Sequence, residues 1–410
     1  MSSDIDSEIV QIGESLIRFI DTEVVPLERD NARLLSDERK LFDDSGRYVP
    51  EVLALRRTVR MKSAEAGFYT MLAPAEIGGG GLDTVAAVYL QELVARRYGP
   101  ERTLIHPVVI PSPFTNGLSP VLTFLQPELK DKVLPGIASG EKTLCFALSE
   151  PNAGSDVMAI KTIARRDGDH WVINGSKQWI TNSPYADYAM VFAITDPDAA
   201  AARRGGISAF FVETGTPGFD VTSVIPVMGH LGGDTGIIAL EGVRVPDSCR
   251  IGGLGDGLNV AMHGINRGRI GMASTCLGYA EWGLALATDY AKQRKTFGKA
   301  IAQHQAIQTH LADAAMDIFA AKNIIMTCAK RIDEGQPARA EIAMAKAYST
   351  EMLSRVMDRC IQVHGGMGLT NEARLEAGYR FARIMRIPDG TGEIQRRTIA
   401  QELLKDRLVF

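Results

Sequence analysis

Apolar residues change their spacing twice along the 410-residue chain, and the changes divide it into thirds. From Glu8 to Val25 they fall at Ile9, Ile12, Leu16, Phe19 and Ile20, the spacing of an amphipathic helix, with Pro26 just past it. Helical spacing returns from about Pro50 to Gly67, from Thr84 to Arg97, and from Leu118 to Leu134 with a break near Pro127. Between these, the charged stretch Glu28 to Arg47 reads as a long loop or a solvent-facing connection. Gly78 to Gly81 must be loop, and Pro107, Pro111 and Pro113 enforce an irregular crossing.

The middle third shortens its period. His170 to Thr181 reads as two extended runs around Asn174-Gly175, a strong hairpin signal. Tyr188 to Thr195, Ile207 to Glu213 and Ile237 to Val245 are further β-rich runs separated by glycine and proline. Short strands with such punctuation predict an antiparallel barrel or sandwich over roughly Leu144 to Gly253. The last third is helical again, over about Leu258 to Lys292, Gln303 to Glu334 and Pro337 to Val363, with Pro337 in a first turn. Shorter segments follow near Asn371 to Met385 and Thr391 to Leu408, and together they read as an antiparallel bundle. The fold class is α+β, mostly α, in three domains: 1–143 helical, 144–253 a β-barrel, 254–410 a helical bundle.

Composition narrows the function classes. A net charge of −4 without any Lys/Arg-rich run argues against a nucleic-acid partner. Five scattered cysteines, with no CxxC, read as core residues in a reducing compartment. No apolar run reaches membrane-spanning length and the first residues lack an apolar signal core, so a cytoplasmic location is expected. The histidines have no metal-ligand spacing, and no metal is expected.

Candidate chemistry begins at Phe146 to Asp156. An apolar run, Leu144 to Leu148, leads into a turn of Pro151, Asn152 and Gly154, flanked by Ser149 and Ser155. Backbone amides and hydroxyls gathered at a strand end suit a flat ligand rich in heteroatoms. Taken alone, the segment is explained better by an ordinary strand-to-loop connection. No GxGxxG follows a strand, since Gly253, Gly255 and Gly257 have the wrong spacing.

Four further motifs lie downstream: Trp179-Ile-Thr181, Arg294-Lys-Thr-Phe-Gly298, Gln362-Val-His-Gly-Gly366 and Asp389-Gly-Thr391. With these five in order on a helix–β–helix background, the chain resembles the acyl-CoA dehydrogenase family over nearly its whole length. The resemblance implies a helical amino-terminal domain, a central antiparallel β-barrel and a carboxy-terminal four-helix bundle. It also implies FAD held between barrel and helices, and a homo-oligomer, at minimum a dimer and in the family usually a tetramer.

Position by position, the resemblance places Phe146, Leu148, Ser149, Gly154 and Ser155 along the flavin. Trp179 and Thr181 fall against its ring, although by itself Trp179 suits barrel core equally well. Arg294, Thr296, Phe297, Gln305, Gln362, Val363, Gly365 and Gly366 match positions that hold the FAD of a neighbouring subunit, and Thr391 and Glu393 complete the cofactor set. Ser155, Asn266, Arg269 and Gly390 match substrate-contacting positions. Read singly, several of these are ordinary helix ends and caps.

Asp389 stands where most fatty-acyl members carry the catalytic glutamate. A carboxylate there can remove a proton next to a carbonyl. Asp389 is equally a common residue for decorating a helix amino terminus. A branch of the family that includes acyl-CoA dehydrogenase family member 11 also has aspartate here. The alternative base position, one residue before Arg269, is Gly268, which cannot act. The resemblance thus implies oxidation of an acyl-CoA to a trans-2-enoyl-CoA, hydride transfer to flavin N5 and electron delivery to an electron-transferring flavoprotein. Two other readings stay open: a nitroalkane-oxidase-like enzyme on the same fold, and a catalytically silent flavoprotein.

Overall fold

The structure is a computed structural model that describes residues 5–408. The first apolar stripe forms α1 (Ser7–Phe19), but the helical path does not end at Pro26. It passes through a π-helical turn, Ile20–Val24, into α2 (Val25–Asp30). Pro26 lies in the first turn of α2, where its missing N–H is not needed. The charged stretch is neither loop nor free connection. It forms two single-turn helices, α3 (Ala32–Leu35) and α4 (Glu38–Leu41), and folds back through a bridge between Phe42 and Tyr48. Its polar groups are spent on the β domain: the Tyr48 amide donates to Tyr185 Oη at 2.7 Å and Arg47 Nη2 to the Val221 carbonyl at 3.0 Å. α5 (Pro50–Glu65) and α6 (Thr84–Tyr98) follow as expected, α6 capped by Asp83, which accepts from the Ala86 amide at 2.7 Å. A 3₁₀ turn, Pro120–Phe124, precedes α7 (Pro127–Ala138), and the gap between them is the expected break.

The central domain holds β1 (Leu144–Ala147), β2 (Ile163–Asp167), β3 (His170–Thr181), β4 (Tyr188–Ile194), α8 (Pro197–Ala201), β5 (Ile207–Glu213), β6 (Phe219–Val224), β7 (Thr235–Pro246) and β8 (Arg250–Ile251). Its sheet runs β6-β7-β3-β2-β4-β5-β8, with β1 beside β4. Pairing is antiparallel throughout, except that β1 and β2 lie parallel to β4.

The hairpin expected at Asn174-Gly175 is absent. β3 runs straight through, with a bulge where Ile173 faces Val243 and Gly175 faces Leu240. Gly175 takes φ +152°, and a Cβ there would lie 2.4 Å from Thr162 Oγ1, so close approach of β2 requires glycine. Asn174 Oδ1 accepts from the Gly242 amide at 2.8 Å instead of making a turn. The reversal lies one strand earlier, at Gly168 (φ +64°) between β2 and β3.

The rest is α9 (Gly257–Gln293), a small hairpin of β9 (Lys295–Thr296) and β10 (Lys299–Ala300), α10 (Gln305–Asp333), α11 (Arg339–His364), α12 (Leu375–Met385) and α13 (Gly392–Leu403). α11 starts two residues after Pro337, so that proline precedes the helix and is not in its first turn.

Contacts divide the chain into two compact units. One gathers the chain up to Arg18, Asp83–Arg102 and the chain from Gly268 onward. Its core includes Leu277, Ile325, Leu353, Val356, Met357 and Leu375. Each such side chain, fully buried, contributes about 1.5–3 kcal/mol. The other unit, Phe19–Leu82 with Thr103–Arg267, has cores including Leu122, Phe192 and Phe211 on one side of its sheet and Trp171, Phe210 and Val212 on the other. Cys145, Cys276, Cys328 and Cys360 are buried, Cys249 is half-buried, and none is bridged. Among the described residues, no helix is long and apolar enough to cross a membrane, and no cluster of His, Cys, Asp or Glu could hold a metal.

Candidate functional site

In the β-containing unit, β1 delivers the chain into a tight turn at Glu150, whose amide and carbonyl both bond Ala153 (2.9 and 3.1 Å). The turn is held from beneath by a residue that sequence reading passed over. Lys177 is fully buried; its Nζ donates to Glu150 Oε1 at 2.8 Å and to the Leu148 carbonyl at 3.2 Å. Glu150 also accepts from the Lys161 amide at 2.6 Å and the Thr162 amide at 3.0 Å. Burial opposes the Glu150 charge, but the Lys177 ammonium and these hydrogen bonds outweigh it and hold the carboxyl below its ordinary range. Burial brings Lys177 down to about 8 in spite of Glu150.

On this base, Leu148 is buried, Phe146 and Ser149 are half-buried, and Gly154 and Ser155 are exposed. The Gln178 amide donates to the Ser149 carbonyl at 3.0 Å, which sets the turn against the end of β3. There Trp179 is 54% exposed with φ +64°, so it is not core. Thr181, two residues on, is also exposed. An exposed indole and hydroxyl beside a rigid strand-end turn form a face for a planar ligand.

The helical unit carries a groove of about 580 Å³. Of the eight expected residues here, Arg294, Thr296, Phe297, Gln362, Val363, Gly365 and Gly366 line it; Gln305 does not, although its neighbours His304 and Ala306 do. Gly365 ends α11 with φ +58°, and a Cβ on Gly365 or Gly366 would project into open space. Arg294 is exposed, a guanidinium suited to paired phosphate oxygens. Sequence reading left out the aromatic wall, Tyr290 stacked on His364 with centroids 4.5 Å apart. His364 Nδ1 is fixed by donation to the Cys360 carbonyl at 2.8 Å. Phe297, at the tip of the β9–β10 hairpin, is 96% exposed with φ +50°.

The same unit holds Asp389. It and Gly390 both adopt positive φ, +56° and +92°, between α12 and α13. This turn makes both carbonyls available to side-chain donors from α9, α11 and α13. Arg269 Nε on α9 donates to the Asp389 carbonyl at 2.8 Å, Lys346 Nζ on α11 to the Gly390 carbonyl at 2.8 Å, and Gln395 Nε2 to both at 3.0 Å. Glycine is required at 390: a Cβ would sit 2.8 Å from Gln395 Nε2 and 3.3 Å from Arg269 Nη2. Lys346 and Gln395 are fully buried, and neither was singled out from sequence.

Thr391 caps α13, its Oγ1 accepting from the Ile394 amide at 3.4 Å, so capping is not the role of Asp389. Glu393 is exposed in the first turn. Asp389 is half-buried, and the protein packed around its carboxyl pushes it up to about 6, against the pull of Arg269 and Lys346. Asn266 lies half-buried on α9, one turn before Arg269.

Three family descriptions match the chain in order: Acyl-CoA dehydrogenase, N-terminal domain over residues 7–141, middle domain over 145–243 and C-terminal domain over 255–404. The human short-chain specific acyl-CoA dehydrogenase, mitochondrial, is 39% identical over 368 residues, 90% of this chain and 87% of that protein. The caffeyl-CoA reductase-Etf complex subunit CarC of Acetobacterium woodii is 36% identical over 363 residues, 88% of this chain and 92% of CarC. Among solved structures, an FAD complex of PigA superposes with a TM-score of 0.82 at 27% identity, covering 97% of this chain and 98% of that one.

Proposed function

We propose, because this chain belongs to the acyl-CoA dehydrogenase family of oxidoreductases, that it oxidises an acyl-CoA thioester to the trans-2-enoyl-CoA with Asp389 as the base. The observation that carries this reading is the Asp389 turn. Its backbone is tied back by three side chains, its carboxyl has no capping role, and burial raises it to about 6. A carboxylate in that range is ionised at neutral pH and is a stronger base than a solvated aspartate, which suits removal of an α-proton. Gly268 leaves no side chain to compete from α9. Aspartate here, where most fatty-acyl members have glutamate, groups the chain with the branch that includes family member 11.

FAD fits the residues present. Trp179, Thr181, Ser149 and the Ser155 end of the turn offer a face and hydroxyls for a ring, with Phe146, Leu148 and Gly154 shaping the strand end beneath. Arg294, Thr296, Gln362, Val363 and the Gly365–Gly366 cradle suit a pyrophosphate, with Gln305 at the margin and Thr391 and Glu393 near the base turn. When bound, the flavin supplies a two-electron acceptor for the β-hydrogen, which leaves as hydride. Ser155, Asn266, Arg269 and Gly390 are assigned to the thioester end, where Arg269 also holds the Asp389 backbone.

The groove serves the cofactor of a second copy, so the protein works as a homo-oligomer, a dimer at least and a tetramer by family habit. The nearly bare Phe297 beside the groove supports this, since such a ring at a hairpin tip gains by burial against a partner. An electron-transferring flavoprotein is the acceptor; CarC is named as part of a reductase–Etf complex.

Anaerobic titration of the purified flavoprotein with saturated acyl-CoAs of graded length and branching tests the reading. Bleaching of the flavin by one class is expected. A flavin-loaded protein that none of them bleaches, or that only a nitroalkane reduces, overturns it. The rate of bleaching should fall as pH drops through about 6, where Asp389 takes up its proton.

A further inference from the structure

We infer that Lys346 is a positioning residue for the reaction: its buried ammonium holds the Gly390 carbonyl and joins Arg269 in supplying the positive charge that keeps Asp389 in its working, ionised form. The inference rests on Asp389 being the base. Lys346 lies in the middle of α11 on a buried face, with Ile342, Ala343, Ser349, Thr350 and Leu353 around it in the helix. Its side chain is fully shielded from solvent, and its one hydrogen bond among the described residues goes to the Gly390 carbonyl at 2.8 Å. No carboxylate comes within ion-pair distance of it among the described residues.

Burying an ammonium against a single neutral acceptor is costly, so an unpaired lysine here needs an explanation other than packing. The charge that most favours the Lys346 cation is Asp389, on the turn it grips, and the influence runs both ways. Lys346 favours the Asp389 anion, and Asp389 favours the Lys346 cation, although burial brings the lysine down to about 8. The hydrogen bond also fixes the Gly390 peptide, and with it the direction in which the neighbouring carboxylate projects.

Other charges face this turn and must be weighed. Arg269 on α9 pulls Asp389 in the same direction as Lys346. Arg339 on α11 is turned to Glu402 at 3.1 Å, and Glu351 on α11 is held by Arg396 of α13 at 2.6 and 2.8 Å. Arg386 at the end of α12 and Glu393 on α13 interact with that pair. The Cys276 thiol on α9, pushed up to about 12 by burial, is neutral. Lys346 and Arg269 are therefore the charges acting directly on Asp389, and of the two only Lys346 is fully buried.

The test is the pH profile of flavin reduction in the holoenzyme, measured anaerobically in single turnover with the best acyl-CoA, for wild type, Lys346→Met, Lys346→Gln, Lys346→Arg and Asp389→Asn. With flavin content unchanged, Met, which loses both the donor and the charge, should cut the reduction rate at pH 7 by about tenfold, and Gln, which loses only the charge, by about twofold. They should also move the acid limb up by about one pH unit, leaving thioester affinity near wild type. Arg, which keeps the charge, should restore most of the limb. Gln keeps a donor to Gly390, so it serves as the readout if Met fails to hold flavin. An inactive Asp389→Asn beside Met and Gln variants with wild-type rate and limb overturns the role of Lys346 and leaves the base intact. An active Asp389→Asn instead overturns the base reading itself.

Discussion

Two fully buried lysines stand behind the two turns of this protein, and they are satisfied in opposite ways. Lys177, under the Ser149 turn, faces Glu150 at 2.8 Å, and Glu150 is in turn saturated by the Lys161 and Thr162 amides. Lys346, under the Asp389 turn, has one neutral carbonyl. Burial weakens both ammonium groups to a similar extent, down to about 8. The first is a closed network in which every charge is accounted for locally, as a part that only has to hold a shape would be. The second leaves its charge uncompensated except by a carboxylate that the chemistry needs ionised. Burial alone therefore does not separate a structural lysine from a working one; the partner does.

The comparison predicts different costs. Lys177→Met strands the Glu150 carboxylate inside the protein, and the expected loss is about 3–5 kcal/mol, read as a fall in the denaturation midpoint together with loss of flavin. Adding Glu150→Gln should recover part of it by removing the orphaned charge. Lys346→Met removes one of two donors to the Gly390 carbonyl, which keeps Gln395 Nε2 at 3.0 Å, so about 0.5–1.5 kcal/mol is expected, with the larger signature in the pH profile. Equal stability losses in the two variants would break the contrast. Thr391→Ala sharpens it at the small end: it removes a helix cap worth about 1 kcal/mol and leaves Lys346 in place. The acid limb of flavin reduction should then stay near 6, and a limb displaced as far as in Lys346→Met would mean that any disturbance of the turn does the same.

Much of this was legible in the chain. α6, α9 and α10 follow their apolar period within a residue or two, because a long amphipathic stripe has few ways to be buried. The Asn174-Gly175 hairpin failed because local turn preference lost to the β7 ladder on one side and close approach of β2 on the other. β2 escaped notice since Arg165, Arg166 and Asp167 are all exposed and leave one buried residue, Ala164, to mark it. At the site, Asp389 and the residues lining the groove announce themselves by motif. The braces do not. Gln395 reaches carbonyls five and six residues back, which no spacing rule anticipates. Lys346 did leave a sign, a single lysine on a buried face that carries Ile342, Ala343, Ser349, Thr350 and Leu353, and Lys177 a similar one on a strand.

The central claim is that Asp389 takes the α-proton, and the most direct measurement is the anaerobic rate of flavin reduction in Asp389→Asn against wild type, at pH 7 with the same acyl-CoA. Rapid bleaching of wild type and a rate lower by about a thousandfold in the flavin-loaded variant is the expected result. Bleaching of Asp389→Asn at the wild-type rate would contradict it.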